Sequence, residues 1–274
     1  MKRWNGWGDD AVELVLPGEA LQFLEQRIGA GVPSVDATLA QACAGIPPSR
    51  LPAHPLVDTR PETRMRNSLG HSLPDWLKMR SGRVGVVTDG VAFPESAEQV
   101  RALLRYAVGC GAAVIPMGGG TSVVGHLTVP EGGQAVLTIN LSRLCGLVNL
   151  DREAQLATFG AGVLGPDLEA QLRAQGYTLG HFPQSFEYSA LGGWVVTRAS
   201  GQQSLRYGRI EQLFAGGTVE TPVGTLEVVP FPASAAGTDL REVVLGSEGR
   251  IGILTEATVR ITPEDITAFK PALQ

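Results

Sequence analysis

The chain has 274 residues, of which 43% are hydrophobic and 18% charged, and its formal net charge is −5. This balance gives no reason to expect a nucleic acid or a membrane surface as partner. Three widely spaced cysteines, Cys43, Cys110 and Cys145, argue against a disulfide framework and against a zinc or other metal site. They favour reduced thiols in a cytoplasmic protein, and no apolar segment approaches transmembrane length.

The first 82 residues differ in pattern from the rest of the chain. The opening MKRWNGWGDD turns acidic before any apolar run, which is not typical of a secretory signal. A helix is predicted from Pro17 to Ile28, and a proline-rich stretch, GIPPSRLPAHPLVD, occupies residues 45–58. We therefore expect residues 1–82 to form a lead-in segment that packs on a domain and is not a domain of its own.

From Arg83 onward the pattern becomes regular. RVGVV, residues 83–87, is a short β-branched run that predicts a strand, and apolar residues at helical spacing predict a helix after Ser96. Ser96 with Gln99 three residues later forms a candidate capping box, and glycines mark the end of the helix. AAVIP, residues 112–116, predicts a second strand and completes a strand–helix–strand unit.

A glycine-rich turn, PMGGGTSVVGH, covers residues 116–126 directly after that second strand. In a dinucleotide-binding Rossmann unit the glycines lie between the first strand and its helix. Here another strand, AVLTI, follows, so the Rossmann pattern fails. The Walker A pattern also fails, because His126 and Leu127 stand where it requires Lys and Ser or Thr.

Two interpretations of this turn remain. Successive glycines allow positive φ and remove side chains from the approach path, so their N–H groups can converge on an anionic oxygen. Thr121 and Ser122 add hydroxyl groups at the same edge. The alternative is a sharp turn between strands with no ligand.

The second half of the chain alternates in a way that predicts a hairpin over residues 146–162, followed by a helix from Gly165 that ends near Gly176. Residues 181–208 then combine Ser, Thr, Gly and Arg with Trp194 and a Val-Val pair. That mixture is typical of a segment lying along a cofactor. Residues 245–261, LGSEGRIGILTEATVRI, predict a glycine-punctuated loop that enters a strand.

Three blocks in this order carry a family resemblance: PMGGGTS, then QSFEYSALGGWVVTRASG with YGRIE, and then GSEGRIGILTEATV. They resemble the FAD-binding domain of the PCMH-type, or vanillyl-alcohol oxidase, flavoprotein family. Within it they are most similar to alkylglycerone-phosphate (alkyl-dihydroxyacetonephosphate) synthase and bacterial FAD-linked oxidases. The opening WNGWGD is similar to the start of the synthase's conserved region, and the resemblance extends to about Pro263.

The resemblance implies an α+β fold, a PCMH-type FAD-binding domain of two α/β subdomains with FAD bound between them. This domain would span residues 83–264, with subdomains at about 83–143 and 145–263. Residues 265–274 would form a C-terminal tail where a cap domain begins in full-length relatives.

The resemblance also implies cofactor contacts at matched positions in all three blocks. The first block would cradle the pyrophosphate, the second would run beside the isoalloxazine, ribityl and phosphate portions, and the third would contact the adenosine end. The residues of the first block are Pro116, Met117, Gly118, Gly119, Gly120, Thr121 and Ser122. Those of the second are Gln184, Ser185, Phe186, Glu187, Tyr188, Ser189, Ala190, Gly193, Thr197, Arg198, Ala199 and Ser200. Those of the third are Glu248, Gly249, Arg250, Ile251, Gly252, Ile253 and Leu254.

Some positions depart from the family pattern. Certain relatives attach FAD through a histidine after the paired glycines, but this chain has Thr121 there, which predicts noncovalent FAD. His126 is a weaker candidate for attachment. His181 is expected near the flavin edge, as a structural or surface histidine more readily than a catalytic one. Gln184 replaces an acidic residue common in the synthase motif, which alters the local charge.

The resemblance implies a flavin-dependent enzyme, either an FAD-linked oxidase or an alkylglycerone-phosphate synthase-like transferase of ether lipid chemistry. The cap domain of full-length relatives supplies the substrate pocket and the catalytic residues, so we expect this chain to be an incomplete flavoenzyme that acts on a small or lipid-like substrate. The alternative is a noncatalytic FAD-binding subunit that needs a cap-bearing partner chain or a homo-oligomer. A degenerate protein without flavin is a third hypothesis, and the substrate cannot be read from the sequence.

Overall fold

The computed structural model describes residues 2–12, 15–32, 35–232 and 235–264, so the predicted tail at 265–274 lies outside the described residues. The helices, in chain order, are α1 (Gly18–Ile28), α2 (Leu39–Ala44), α3 (Pro61–Arg66), α4 (Leu73–Ser81), α5 (Ala97–Cys110), α6 (Gly165–Arg173), α7 (Leu191–Val196), α8 (Ser204–Tyr207), α9 (Ile210–Leu213) and α10 (Leu240–Val244). The strands are β1 (Val57–Asp58), β2 (Gly90–Ala92), β3 (Ala113–Met117), β4 (Val136–Asn140), β5 (Leu147–Asp151), β6 (Leu156–Gly160), β7 (Tyr177–Thr178), β8 (Phe214–Thr221), β9 (Gly224–Val228), β10 (Ile253–Arg260) and β11 (Thr262–Pro263). Across these residues no helix has both the length and the apolar character needed to cross a bilayer.

The first sheet has the strand order β1-β2-β4-β3. β2 and β3 each run parallel to β4, and α5 makes the crossover from β2 to β3 that such a connection requires. The helix buries Val100, Leu103, Leu104 and Ala107 in the core of this sheet. The predicted helix and the two strands at β3 and β4 are therefore confirmed.

The ends of α5 follow the sequence signals with one change. The Ser96 hydroxyl accepts a hydrogen bond from the Gln99 amide at 3.3 Å, and Gly111 ends the helix in the left-handed conformation at φ 66°. The Gln99 side chain accepts from the Glu95 amide instead of the Ser96 amide, at 2.8 Å. The bond from the Gln99 amide to the Ser96 hydroxyl is thus present as predicted. The second bond of the capping box, to the Gln99 side chain, comes from the Glu95 amide, one residue earlier than expected.

The strand predicted over residues 83–87 is wrong. Gly85 adopts φ 73°, which interrupts the extended backbone, and the strand begins later, at Gly90. Val84 and Val87 instead pack in a helical cluster with Met65, Leu69 and other residues of the N-terminal region. The positions of Val84 and Val87 are therefore fixed by packing against helices and not by strand pairing.

The N-terminal region contributes directly to the fold. β1 pairs antiparallel with β2 as the edge strand of the first sheet, and α2, α3 and α4 surround a small apolar cluster of their own. The predicted helix at α1 is confirmed, but none of its residues is buried.

The second sheet is antiparallel throughout, in the order β5-β6-β10-β8-β9. The predicted hairpin is confirmed as β5 and β6, and the predicted helix as α6, with Pro166 in its first turn. The α6 and α7 helices pack their apolar residues, including Leu168, Leu172 and Leu191, into the core of this sheet.

A buried ion pair connects the two sheet units. Arg101 of α5 lies 2.7 Å from the Oε1 atom of Glu220 on β8, and the Glu220 side chain is fully buried. Thr225 donates to its other carboxylate oxygen at 2.8 Å. Because breaking a buried pair leaves one charge without compensation, this contact favours one fixed position of α5 against the second sheet.

Candidate functional site

A cleft of about 290 Å³ is lined by residues from both sheet units. Its volume is near the lower end of the range for small-molecule sites. Three segments form its walls: the turn after β3, the stretch that enters α7, and the loop before β10. The lining residues that the sequence had singled out are Pro116, Met117, Gly118, Gly119, Gly120, Thr121, Ser122, Ser185, Ser189, Ala190, Gly193, Thr197, Ala199, Glu248, Gly249, Gly252 and Leu254.

The glycine turn presents unused hydrogen-bond donors. None of the amide N–H groups of residues 118–122 donates a hydrogen bond to any atom of the described part of the chain. Gly120 has φ 73°, a conformation that side chains disfavour. Buried backbone N–H groups almost always have a partner in the chain or in water, so five consecutive donors without a partner in the described structure suit an acceptor that enters the cleft from outside.

The turn also packs too closely on the second segment for any side chain. A Cβ atom on Gly119 would lie 1.7 Å from the Tyr188 carbonyl oxygen, and one on Gly118 would lie 3.0 Å from the Ala190 Cβ atom. The glycines are therefore required for the approach of the two walls, as well as for access to the amides.

Ser122 closes this wall with an unpaired hydroxyl group. Its Oγ atom is buried without a hydrogen-bond partner in the described structure. Its carbonyl oxygen accepts from the His71 amide at 2.7 Å, which anchors the turn to the N-terminal region. Leaving a buried hydroxyl unpaired costs about 1–3 kcal/mol, so an incoming acceptor or donor would relieve that cost.

The second wall has a largely satisfied backbone. Leu191 and Gly192 donate to the carbonyl oxygens of Val163 and Ala161 at 3.0 and 2.7 Å. The Trp194 indole N–H donates to the Ser189 hydroxyl at 2.7 Å, and that hydroxyl donates to the Ser185 carbonyl at 2.8 Å. This wall therefore offers shape and apolar surface, with few spare donors.

The third wall is the loop at residues 246–252. Gly249 sits against Pro116, where a Cβ atom would lie 2.5 Å from the proline Cγ atom. Glu248 adopts φ 54° and donates its amide to the Val196 carbonyl at 2.9 Å. Its carboxylate lies 3.1 Å from the His126 Nε2 atom, so an ion pair is available across the cleft mouth when the histidine is protonated.

Nine residues from the sequence prediction do not line this cleft. Phe186 stacks on Trp194, Tyr188 packs on Trp7, and Arg198 pairs with Glu242 at 2.5 Å. Gln184, Glu187 and Ser200 are exposed away from the cleft lining. Arg250, Ile251 and Ile253 line a smaller neighbouring cavity of about 200 Å³.

Ten further lining residues are not among the predicted cofactor contacts, although the sequence had singled out His126 as a candidate for attachment and Gly192, Trp194 and Val196 as part of the cofactor segment. Several could have been found by extending the motifs by a few residues, whereas Leu141 and Ala161 follow strand ends that only the folded sheets bring to the cleft. They are Val123, Val124, His126, Leu127, Leu141, Ala161, Pro183, Gly192, Trp194 and Val196.

His181 lies behind the second wall and does not line the cleft. It is 1% exposed, its ring centroid is 5.0 Å from that of Trp194, and neither ring nitrogen has a hydrogen-bond partner in the described structure. Burial lowers the pKa of His181 to about 4. It is therefore a neutral, buried histidine at physiological pH, and not a surface residue.

The profile of the FAD binding domain family matches residues 88–229, which include all of the first and second walls. The chain belongs to this family. The FAD-binding chain is 39% identical over 198 residues to an alkyldihydroxyacetonephosphate synthase of Dictyostelium discoideum, covering 72% of this chain and 32% of that protein. It is 37% identical over 175 residues to an FAD-linked oxidoreductase of Escherichia coli (strain K12), covering 62% of this chain and 36% of that protein.

The fold comparison agrees with the sequence comparison. A solved structure of alkyldihydroxyacetonephosphate synthase matches with a TM-score of 0.83 and 29% identity, covering 96% of this chain and 54% of that one. The predicted α+β PCMH-type FAD-binding fold is therefore confirmed. The chain spans about a third to about half of the length of the relatives it matches.

The residues of the first wall fit the chemistry of FAD. A diphosphate presents only acceptor oxygens at neutral pH, and the turn offers free amide donors and the unpaired Ser122 hydroxyl. Oriented backbone N–H groups bind phosphate without a lysine in the loop. The mostly apolar second wall, with Trp194, Val196 and Ala199, suits the aromatic and alkyl parts of the cofactor.

Proposed function

We propose that this FAD-binding domain belongs to a flavin-dependent enzyme of the alkyldihydroxyacetonephosphate synthase or FAD-linked oxidase type, and that it holds FAD noncovalently. The observation that carries the proposal is the row of free N–H groups at residues 118–122, with the buried Ser122 hydroxyl at its end.

The diphosphate lies against the first wall in this proposal. Amides of residues 118–122 donate to its oxygens, and the hydroxyl groups of Thr121 and Ser122 add donors at the same edge. The second segment, Ser185 to Ala199, faces the flavin, and the loop from Glu248 to Leu254 faces the adenosine end. Residues 83–143 and 145–263 form the two subdomains around this cofactor.

Noncovalent attachment is supported by the residues that line the cleft. Thr121 occupies the position of the attaching histidine in some flavoproteins, and none of the cysteines that the structure describes lines the cleft. His126 does line it, but its Nε2 atom faces the Glu248 carboxylate at 3.1 Å.

The chemistry of such an enzyme comes from the flavin ring, which supplies two-electron transfer or acts as an electron sink. This chain's own residues bind and orient it: the first wall fixes the diphosphate, and Trp194 with Val196 forms an apolar side of the cleft that excludes water. We assign no catalytic residue within the chain. The substrate is small or lipid-like, as for an ether lipid synthase or a hydroxy-acid oxidase.

A second candidate is a noncatalytic FAD-binding subunit that works with a separate cap-bearing chain or as a homo-oligomer in the cytoplasm. The described cleft supports it to the extent that its lining binds the cofactor but includes no residue to which we assign a catalytic role. In that case the chain binds FAD but is not reduced by any hydroxy acid or alcohol alone.

The test is to identify flavin on the purified chain. We expect a yellow protein that binds FAD one to one and releases it into the supernatant on acid precipitation. Flavin that stays with the precipitate would contradict noncovalent attachment, and a chain that takes up no added FAD would contradict the proposal itself. Bleaching of the flavin on anaerobic mixing with a hydroxy acid, without any partner chain, would then favour a self-sufficient oxidase over the subunit.

A further inference from the structure

Lys2 contacts the glycine turn from outside the cleft. Its ammonium group donates a hydrogen bond to the carbonyl oxygen of Gly119, 117 residues away in sequence. A Cβ atom placed on Gly120 would lie 3.6 Å from the same ammonium nitrogen. Sequence reasoning assigned the turn no lysine, and the folded chain supplies one from its N-terminus.

The N-terminal turn at residues 2–10 is built to hold this lysine. Lys2 and Asp9 form a β-bridge, and the Arg3 amide donates to the Gly8 carbonyl at 2.9 Å. Arg66 of α3 donates to the Lys2 carbonyl at 3.0 Å and to the Asp10 carboxylate at 3.1 Å. These bonds fix the backbone of Lys2 to a helix of the N-terminal cluster.

Trp7 fixes the same turn to the cleft. Its ring lies 5.9 Å from that of Tyr188, and 6.2 Å from those of both His71 and Trp76. The Tyr188 carbonyl is the atom that leaves no room for a side chain on Gly119, and the His71 amide binds the Ser122 carbonyl. Trp7 therefore packs on the residues that hold both ends of the glycine turn.

The bond from Lys2 has a directional consequence. In a planar trans peptide the carbonyl group and the following N–H group point in opposite directions. A Gly119 carbonyl held by Lys2 therefore directs the Gly120 N–H away from Lys2. Gly120 lines the cleft, and its N–H has no partner in the described structure.

We propose that Lys2 is a positioning residue for the FAD diphosphate: it fixes the Gly119–Gly120 peptide with its N–H toward the cofactor and places a positive charge behind it. This inference rests on the proposed diphosphate position at residues 118–122. The N-terminal turn thereby becomes part of the cofactor site. Lys2 supplies a positive charge to the glycine turn from a distant point of the sequence, through the Gly119 carbonyl and without contacting the diphosphate itself.

The charge of Lys2 is sensitive to pH. Burial of its ammonium lowers the pKa of Lys2 to about 8, although the residue as a whole keeps contact with solvent. Among the charged and titratable groups of this region, Arg66 binds the Lys2 carbonyl oxygen and Asp9 pairs with Lys2 in the β-bridge. Asp10 pairs with Arg66, and His71 interacts with Lys2 and Asp75. Burial and the Lys2 charge lower the pKa of His71 to about 4.

The experiment measures the dissociation constants of FAD and riboflavin for the full chain by flavin fluorescence at pH 7. We expect Lys2→Met to raise the Kd of FAD about three- to tenfold and to leave riboflavin, which has no phosphate, unchanged. Lys2→Arg should retain most of the affinity. The matched control is Lys78→Met, because Lys78 is exposed on α4 and does not line the cleft, so its FAD affinity should stay within about twofold.

A pH series separates this role from a structural one. FAD affinity of the unsubstituted chain should fall as pH rises from 7 to 9, because deprotonation removes the charge, and that fall should be absent in Lys2→Met. The α-amino group is present in both proteins, so it does not account for a difference between them. Equal FAD affinity in Lys2→Met and the unsubstituted chain, or an equal loss of riboflavin, would overturn the inference while FAD binding stands. No FAD binding by the unsubstituted chain would overturn the proposed function first.

Discussion

The two main walls of the cleft are built in opposite ways. The first, at residues 116–122, exposes amide donors that have no partner in the described structure, whereas the second, at residues 183–199, has most of its donors bonded within the chain. The Ser122 hydroxyl is unpaired, and the Ser189 hydroxyl both accepts and donates.

In the proposed function, this difference lets one cleft bind the diphosphate and the ring system of a dinucleotide cofactor in different ways. Free N–H groups suit a diphosphate, because its oxygens replace the missing partners. A satisfied wall with Trp194 and small residues suits an aromatic ring system, because it adds contact area without burying unpaired polar groups. The following predictions test this difference between a wall with free donors and a wall whose polar groups are bonded within the chain.

The largest effect is expected for Gly119→Ala. The new Cβ atom would lie 1.7 Å from the Tyr188 carbonyl oxygen, so the backbones of both walls must separate. We expect loss of FAD binding and a lower melting temperature, measured by flavin titration and thermal unfolding. Gly146→Ala is the control, since nothing lies within 4 Å of its Cβ position. Retained FAD affinity in Gly119→Ala would contradict the close packing of the walls.

The next largest effect is expected on the pH dependence of stability, through the buried His181 imidazole behind the second wall. Burial lowers the pKa of His181 to about 4 in the folded chain, whereas an unfolded chain has a histidine pKa of about 6.5. Below pH 6.5 the unfolded chain therefore binds a proton at His181 that the folded chain does not bind. Stability therefore falls as pH falls from 6.5 to 4. We expect urea unfolding to show a loss between pH 7 and pH 5 that is smaller by about 2 kcal/mol in His181→Leu. An unchanged pH dependence would mean that the imidazole has a partner.

Paired serine substitutions compare the walls directly. Ser122→Ala removes a hydroxyl that has no hydrogen bond within the described part of the chain. Stability without FAD should therefore be unchanged or slightly higher, while the Kd of FAD rises about fivefold. Ser189→Ala breaks two internal bonds, so it should lower stability by about 1–2 kcal/mol. Both are measured by urea unfolding and flavin titration. The reverse pattern would mean that the first wall is the structural one.

The smallest effect is expected for Arg198→Met. The sequence assigned Arg198 to the cofactor, but its guanidinium pairs with Glu242 at 2.5 Å on a partly exposed surface. Exposed pairs contribute little, so we expect the Kd of FAD to change less than twofold, with Glu242→Gln behaving alike. A tenfold loss confined to Arg198→Met would extend the diphosphate site to the second wall.

The sequence predicted this fold well where local signals act alone. The α5 helix, the β5–β6 hairpin and the glycine turn follow from spacing, capping and backbone freedom. The strand at residues 83–87 failed because Gly85 takes a left-handed conformation and the neighbouring valines pack on helices. A β-branched run cannot reveal which element it will meet in the folded chain.

The sequence predicted the site residues that belong to one local motif, but not the contacts between residues that are far apart in the chain. All seven residues of the first motif line the cleft, because a glycine turn presents its backbone whatever surrounds it. Phe186 and Arg198 lie in an equally distinctive motif but contact Trp194 and Glu242. The Lys2 contact joins residues 117 positions apart, which one sequence does not encode in any local pattern.

The most direct test of the central claim is amide hydrogen exchange with and without FAD. We predict that FAD slows exchange most strongly at residues 118–122, whose N–H groups have no partner among the described residues, and changes residues 191–199 much less. FAD that binds without slowing exchange at residues 118–122 would contradict the account.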